Sequence, residues 1–190
     1  MKLNKKFFEI KIMSTQLKEK INISVESLSK LSEVDLADLC NITEQAISAG
    51  GGFGWLRVPA REVLKNYWNK ITDDKLSNLV VGRLNGVIAG TLQLSYEAPN
   101  IESRKYIAQI KRHFVAPWAR GYGLAKSMID FSEQKAKEDN IKSIQLAVRE
   151  TQDAAVQLFS SKEYQVWGEN PYYAFINGSF IKGIYFFKNL

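Results

Sequence analysis

Val115-Ala116-Pro117-Trp118-Ala119-Arg120-Gly121-Tyr122-Gly123-Leu124-Ala125-Lys126 carries the chain from an extended run into a long helix, and the rest of the fold is read outward from it. The first turn of a helix leaves backbone N–H groups without intrahelical partners, and the aligned peptide dipoles add positive potential, so a phosphate is a natural partner there. Glycines at 121 and 123 remove side chains that would block a close approach, and Arg120 and Lys126 add charge at the same junction. A Gly-x-Gly pair alone equally makes a tight strand-to-helix turn. A dinucleotide site of the doubly wound kind would need a third spaced glycine and an acid about 20 residues on, within repeated βαβ units.

The sequence upstream is of another kind. Leu79-Val80-Val81-Gly82-Arg83 and the run Val87 to Leu94 flank Asn85-Gly86, whose residues supply the positive φ angles of a type I′ hairpin turn. Tyr106 to Val115 is a third extended run, which predicts an antiparallel meander. Ahead of it, Ile21, Ile23 and Val25 alternate with polar residues as a half-buried strand does. Val34 to Ala49 repeats apolar residues at helical spacing, and so does Pro59 to Ile71, with Pro59 in its first turn and Val63, Leu64, Tyr67 and Trp68 as its stripe. Between the two helices, Gly50-Gly51-Gly52-Phe53-Gly54-Trp55 reads as a flexible loop with two exposed aromatics. Phe53 and Trp55 either line a substrate pocket or anchor the helix pair.

Downstream, a helix runs from Gly123 to about Asp139 with Leu124, Met128 and Phe131 as its core stripe. Ser143 to Val148 reads as a strand, Gln152 to Lys162 as a helix, Tyr164 to Trp167 as a strand and Ser179 to Lys188 as a closing strand. The expected order is β-αα-βββ-α-β-α-ββ. That is an α+β (mixed α/β) fold with a mostly antiparallel sheet of about seven strands and about four helices.

The chain of 190 residues fits a single domain over 21–190, preceded by a basic extension over 1–20. That extension holds six lysines against two glutamates, which leaves little of the net charge of +6 to the remainder and weakens any case for nucleic acid, while a local basic cluster of Lys111, Arg112, Arg120 and Lys126 suits a small polyanion. Met13 is an alternative start, and Glu9 and Lys11 break the apolar part that a signal peptide needs, so a cytoplasmic location is expected. No apolar run approaches the roughly 18 residues of a membrane helix. A single cysteine, Cys40, excludes an internal disulfide, and a single histidine, His113, argues against zinc, so metal-free chemistry is the default.

The pattern Arg120-x-x-Gly123-x-Ala125, between a strand ending in Val115-x-Pro117 and a helix, resembles the acyl-CoA signature of the GNAT superfamily of N-acyltransferases. The resemblance extends over roughly Ile21 to Leu190. Gln152 to Tyr164 looks like the superfamily's second signature, with Ala155 and Leu158 in its apolar places. Gly51 to Leu56, Pro171-Tyr172-Tyr173-Ala174 and the ending Tyr185 to Leu190 look like the small-molecule branch typified by tabtoxin-resistance acetyltransferases. This resemblance implies a sheet splayed at the third meander strand, which admits pantetheine beside the strand that follows the long helix. It places pantetheine on the backbone of His113, Phe114 and Val115. It places the pyrophosphate on Arg120, Gly121, Tyr122, Gly123, Leu124, Ala125 and Lys126. It implies acetyl-CoA as donor, a small primary amine as acceptor, direct attack in a ternary complex, and a monomer or homodimer.

Acyl transfer from a thioester needs a free amine, stabilisation of the oxyanion and a proton for the departing thiolate. Where many members of the superfamily carry a Glu base and a Tyr acid, this chain has Gln109 and Phe159, and neither transfers a proton. His113, four residues after Gln109 and hence expected on the same strand face, is the candidate base. Tyr172 and Tyr173, expected just after the sixth strand, are the candidate acids. Phe53, Trp55, Gln109 and Tyr173 are the candidate acceptor contacts. Glu150 and Cys40 read as a surface carboxylate and a core residue. With Gln109 and Phe159 in those places, a CoA-binding module without turnover is the alternative, as is a peptide or protein amine as acceptor.

Overall fold

The computed structural model describes residues 21–51 and 53–190, and the N-terminal extension 1–20 lies outside the described residues. Seven strands and four α-helices follow the expected order: β1 (Ile23–Leu28), α1 (Glu33–Ser48), α2 (Arg61–Asp73), β2 (Ser77–Leu84), β3 (Val87–Tyr96), β4 (Ile107–Val115), α3 (Leu124–Glu138), β5 (Ser143–Arg149), α4 (Asp153–Ser161), β6 (Gln165–Ile176) and β7 (Ser179–Asn189). They form one sheet in the order β1-β2-β3-β4-β5-β7-β6, antiparallel at every junction except β4 with β5.

Local chemistry explains most of the boundaries. Ser32 accepts a hydrogen bond from the Asp35 N–H while the Asp35 carboxylate accepts from the Ser32 N–H, a capping box that starts α1. Asn85 and Gly86 take φ of 51° and 86°, as the type I′ turn between β2 and β3 requires. Gly82 and Gly90 face each other across β2 and β3, and a Cβ on either would lie under 3 Å from Leu124 or Met128 of α3. The bare glycine pair therefore lets α3 settle directly on the sheet and fixes where its N-terminus ends up.

Four expectations change. Ile21 and Ile23 are exposed, and only Val25 and Leu28 of β1 pack against the core, because β1 is an edge strand. Pro59 precedes α2 instead of occupying its first turn, and Val63 faces solvent. Phe53 is buried, not exposed: its ring meets Tyr67, Trp68 and Phe114 edge to face at 5.8–6.4 Å. Finally, β6 is twelve residues long, so Tyr172 and Tyr173 sit within it, where the register with β7 shifts between Asn170 and Ala174.

Candidate active site

β4 and β5 run parallel for only three rungs, Ile107 with Ser143, Ala108 with Ile144 and Gln109 with Gln145. Beyond Gln109 the strands part, and a cavity of about 760 Å³ opens between them. Gln109, His113 and Phe114 line it from β4, Leu146 and Arg149 from β5, Phe159 from α4, Tyr173 from β6, and Phe53 and Trp55 from the loop ahead of α2.

The parting of β4 coincides with a break in its own register. Ser95, Gln93 and Thr91 of β3 stand opposite Gln109, Lys111 and Phe114, so one extra residue is inserted in β4. Arg112 absorbs it at a φ of 52°, and the Thr91 hydroxyl donates to its carbonyl at 3.0 Å. The bulge corrects one expectation: Gln109 and Phe114 share a sheet face, and His113 points to the other. Phe114 accordingly meets Phe53 on the α1 and α2 side, while the His113 ring meets Phe159 of α4 at 5.6 Å.

His113 is half-buried as a residue, but its Nε2 is out of reach of solvent and has no hydrogen-bond partner. Burial lowers its pKa to about 4, and the Ala125 carbonyl beside the ring offsets only part of that. The imidazole is neutral near pH 7 and weakly basic. Tyr173 shows the converse. Burial raises its pKa, and Tyr185 adds to this while Arg149 opposes it, so the phenol keeps its proton. Tyr172 is 69% exposed, meets Phe180 edge to face at 4.9 Å and does not line the cavity. Phe159 is buried among His113, Tyr164 and Phe186.

At the far end of β4, Pro117–Ala119 forms a single 3-10 turn, Arg120 is extended, and Gly121 and Gly123 take left-handed φ of 85° and 81°. Gly123 is the N-cap of α3, and the first intrahelical bond runs from the Ser127 N–H to its carbonyl at 3.0 Å. The N–H groups of Leu124, Ala125 and Lys126 precede that bond and have no partner inside the helix. Buried Ala119 and Leu124 pin the turn on either side, while Arg120 and Tyr122 stand in solvent. Lys126 is paired with Asp130 at 2.9 Å, which shares its charge along the helix.

Two site features, Arg149 and Gly183, went unread in the sequence, and a third, Arg112 of the basic cluster, takes partners that the sequence did not indicate. Arg149 lines the cavity and donates from Nη2 to the Gly50 carbonyl at 2.8 Å, which ties β5 to the loop ahead of α2. Arg112 donates to the Gln93 side-chain oxygen and lies over the Tyr67 ring at 5.4 Å. Gly183 of β7 lies under the ring of Tyr173. Arg149 carried one available signal, its place at the end of the strand that borders the splay. Glu150 is not isolated, since it accepts a hydrogen bond from the Lys182 N–H at 3.2 Å. Cys40 is in the core.

Comparison with known proteins agrees with this geometry. Residues 39–162 match the acetyltransferase (GNAT) family. The chain is 43% identical over 131 residues, 69% of its own length and 78% of the relative's, to an uncharacterized N-acetyltransferase from the hisH-hisA intergenic region of Azospirillum brasilense. Among solved structures it resembles a GCN5-related N-acetyltransferase of Kribbella flavida, with a TM-score of 0.73 at 20% identity over 88% of this chain and 98% of that one. It also resembles a GNAT superfamily phosphinothricin acetyltransferase of Sinorhizobium meliloti in complex with acetyl-CoA, with a TM-score of 0.73 at 14% identity over 88% of each chain. With its splayed sheet, its open helix N-terminus and a match over most of its length, the chain belongs to the acetyltransferase (GNAT) family, as an acyl-CoA-dependent N-acetyltransferase.

Proposed function

We propose that the protein transfers an acetyl group from acetyl-CoA to the primary amine of a small molecule by direct attack in a ternary complex. The observation that carries this reading is the parting of β4 from β5 after three rungs, with the unpartnered N–H groups of α3 at one end of the opening and an aromatic-lined cavity at the other. Pyrophosphate is held by the N–H groups from Gly121 to Lys126, with Arg120 adding charge. The pantetheine amides pair with the β4 backbone at His113, Phe114 and Val115, which the splay leaves without a β5 partner.

The acceptor amine enters from the side closed by Phe53, Trp55 and Tyr173, with Gln109 as a further contact. Tyr173 is the group that protonates the leaving thiolate, since it holds its proton and lines the cavity. His113, neutral, with its Nε2 closed off from solvent and its ring against Phe159, has little power to abstract a proton and serves as part of the cavity wall. The concave aromatic lining is of the kind that takes small molecules, and the loop and the tyrosine that resemble the tabtoxin-resistance branch meet at this cavity.

Calorimetry with acetyl-CoA, followed by a screen of amines for release of CoA thiol, tests the reading. Binding in the micromolar range and turnover of a small amine are expected, and no binding at hundreds of micromolar overturns it. Gln109 and Phe159 favour a second reading, a CoA-binding module without turnover, which steady thiol release with any amine rejects.

A further inference from the structure

Three cationic residues, Lys111, Arg112 and Arg149, line the acceptor cavity, and no aspartate or glutamate does so among the described residues; the Arg112 guanidinium turns to Gln93 and Tyr67, which line a second cavity, so Arg149 is the guanidinium of the acceptor site. Nor does any of the three form an ion pair with a carboxylate among those residues, which elsewhere hold twelve such pairs. The two arginines are held by neutral partners instead, Arg149 by the Gly50 carbonyl and Arg112 by Gln93 and the face of Tyr67. A guanidinium has five N–H donors in a rigid fork, so a single neutral acceptor leaves most of them unused and their direction fixed. The pyrophosphate does not account for this charge, because Arg120 to Lys126 lie outside the cavity lining.

The geometry points to an acceptor that carries an anionic group beside its amine, an amino-carboxylate, with its acid received by Arg149. This rests on the acetyltransferase reading above and names its substrate class. Arg149 is the receiving group because it adjoins Tyr173 and braces the loop that carries Phe53, whereas the guanidinium of Arg112 is already engaged on two sides. A carboxylate binds such a fork through charge-assisted hydrogen bonds, often two in parallel. A polyamine or any acceptor with net positive charge meets like charge throughout.

The same cations bear on the chemistry. A cationic lining disfavours the ammonium form of a bound acceptor, so the amine sheds its proton to water as it enters. The neutral nitrogen then bonds to the thioester carbonyl carbon, the C–S bond breaks with its electron pair passing to sulfur, Tyr173 gives its proton to that sulfur, and the phenolate so formed recovers a proton from the nitrogen, which carries one in surplus, directly or through water. Gln109 in place of a carboxylate base fits this arrangement, since an acid at that position would cancel the charge that selects the acceptor.

The test is a panel of the common amino acids, each assayed beside its own carboxamide, with spermidine as the cationic control, by CoA-thiol release from the full chain. At least a tenfold preference in kcat/KM for the carboxylate partner of the preferred pair is expected. Arg149→Gln should raise KM for that carboxylate at least tenfold more than for its carboxamide, with Arg149→Lys restoring part of the difference. Equal use of both partners, or preference for spermidine, overturns the proposal. If Arg149→Gln loses acetyl-CoA affinity as well, the wild-type panel alone decides. If acetyl-CoA binds and no amine is acetylated, the functional reading fails by itself. The charge claim is then judged by calorimetry of N-acetyl amino acids against their amides on the CoA-loaded protein, where equal affinities overturn it.

Discussion

The ring of Tyr173 rests on the bare α-carbon of Gly183, so closely that a methyl group there would lie 2.3 Å from the tyrosine Cγ. Gly183 thereby sets how deeply Tyr173 reaches into the cavity. Gly183→Ala should push the ring out and lower kcat by at least tenfold, since a displacement of about 1 Å at a reacting group costs on the order of 10² in rate. Acetyl-CoA affinity should not change. A variant with wild-type kcat would remove Tyr173 from the proton-transfer role.

Arg120 stands in solvent beside the open N-terminus of α3. Arg120→Glu should weaken acetyl-CoA binding about tenfold, or ~1.4 kcal/mol, by bringing a carboxylate to the pyrophosphate. Titration calorimetry measures it, and the loss should shrink as salt is added. An unchanged affinity would place the pyrophosphate elsewhere.

His113 contributes to stability through its pKa of about 4, which lies below the 6.5 of an exposed histidine. Between those values the unfolded chain binds a proton that the folded protein refuses, so stability rises with pH across the window and falls as pH drops through it. The contribution is on the order of 3 kcal/mol. Urea titrations at pH 7 and pH 4 should show a loss on acidification in the wild type that is smaller in His113→Leu. Equal losses would mean that the imidazole is solvated.

Phe53 is both a wall of the cavity and a buried anchor between α2 and β4. Phe53→Ala should therefore destabilise the fold by about 3–5 kcal/mol, the range for truncating a buried aromatic, in addition to any effect on acceptor KM. A lid residue would cost almost nothing in a denaturation experiment.

These cases mark which features were legible in the sequence. The Asn85-Gly86 turn and the glycines at 121 and 123 were readable because each is specified by the chemistry of a few adjacent residues. The element order followed from periodicity. The face of His113 was not readable, because the bulge at Arg112 is imposed by pairing with β3, and an arginine at positive φ has no local signature. Burial of Phe53 depended on Tyr67, Trp68 and Phe114 arriving from two other elements. The place of Arg149 in the cavity was equally hidden, since Arg149 and Tyr173 are distant in sequence and line one cavity only through the order of the strands.

The three rungs that join β4 to β5 make the protein a molecule of two sequential halves. Strands β1 to β4, with α3 lying across them, use the chain up to Glu138, and β5 to β7 use only the residues from Ser143 onward. Pairing within each half is local in the chain, so each can form early, and the seam between them is the junction with the fewest backbone bonds to hold it. A ligand lodged in that seam touches both halves and binds only when they are together, so it adds RT ln(1 + [L]/Kd) to the free energy of keeping them joined, about 2.7 kcal/mol at a hundred times its Kd. A donor bound where we propose is thus also a mechanical brace across the sheet.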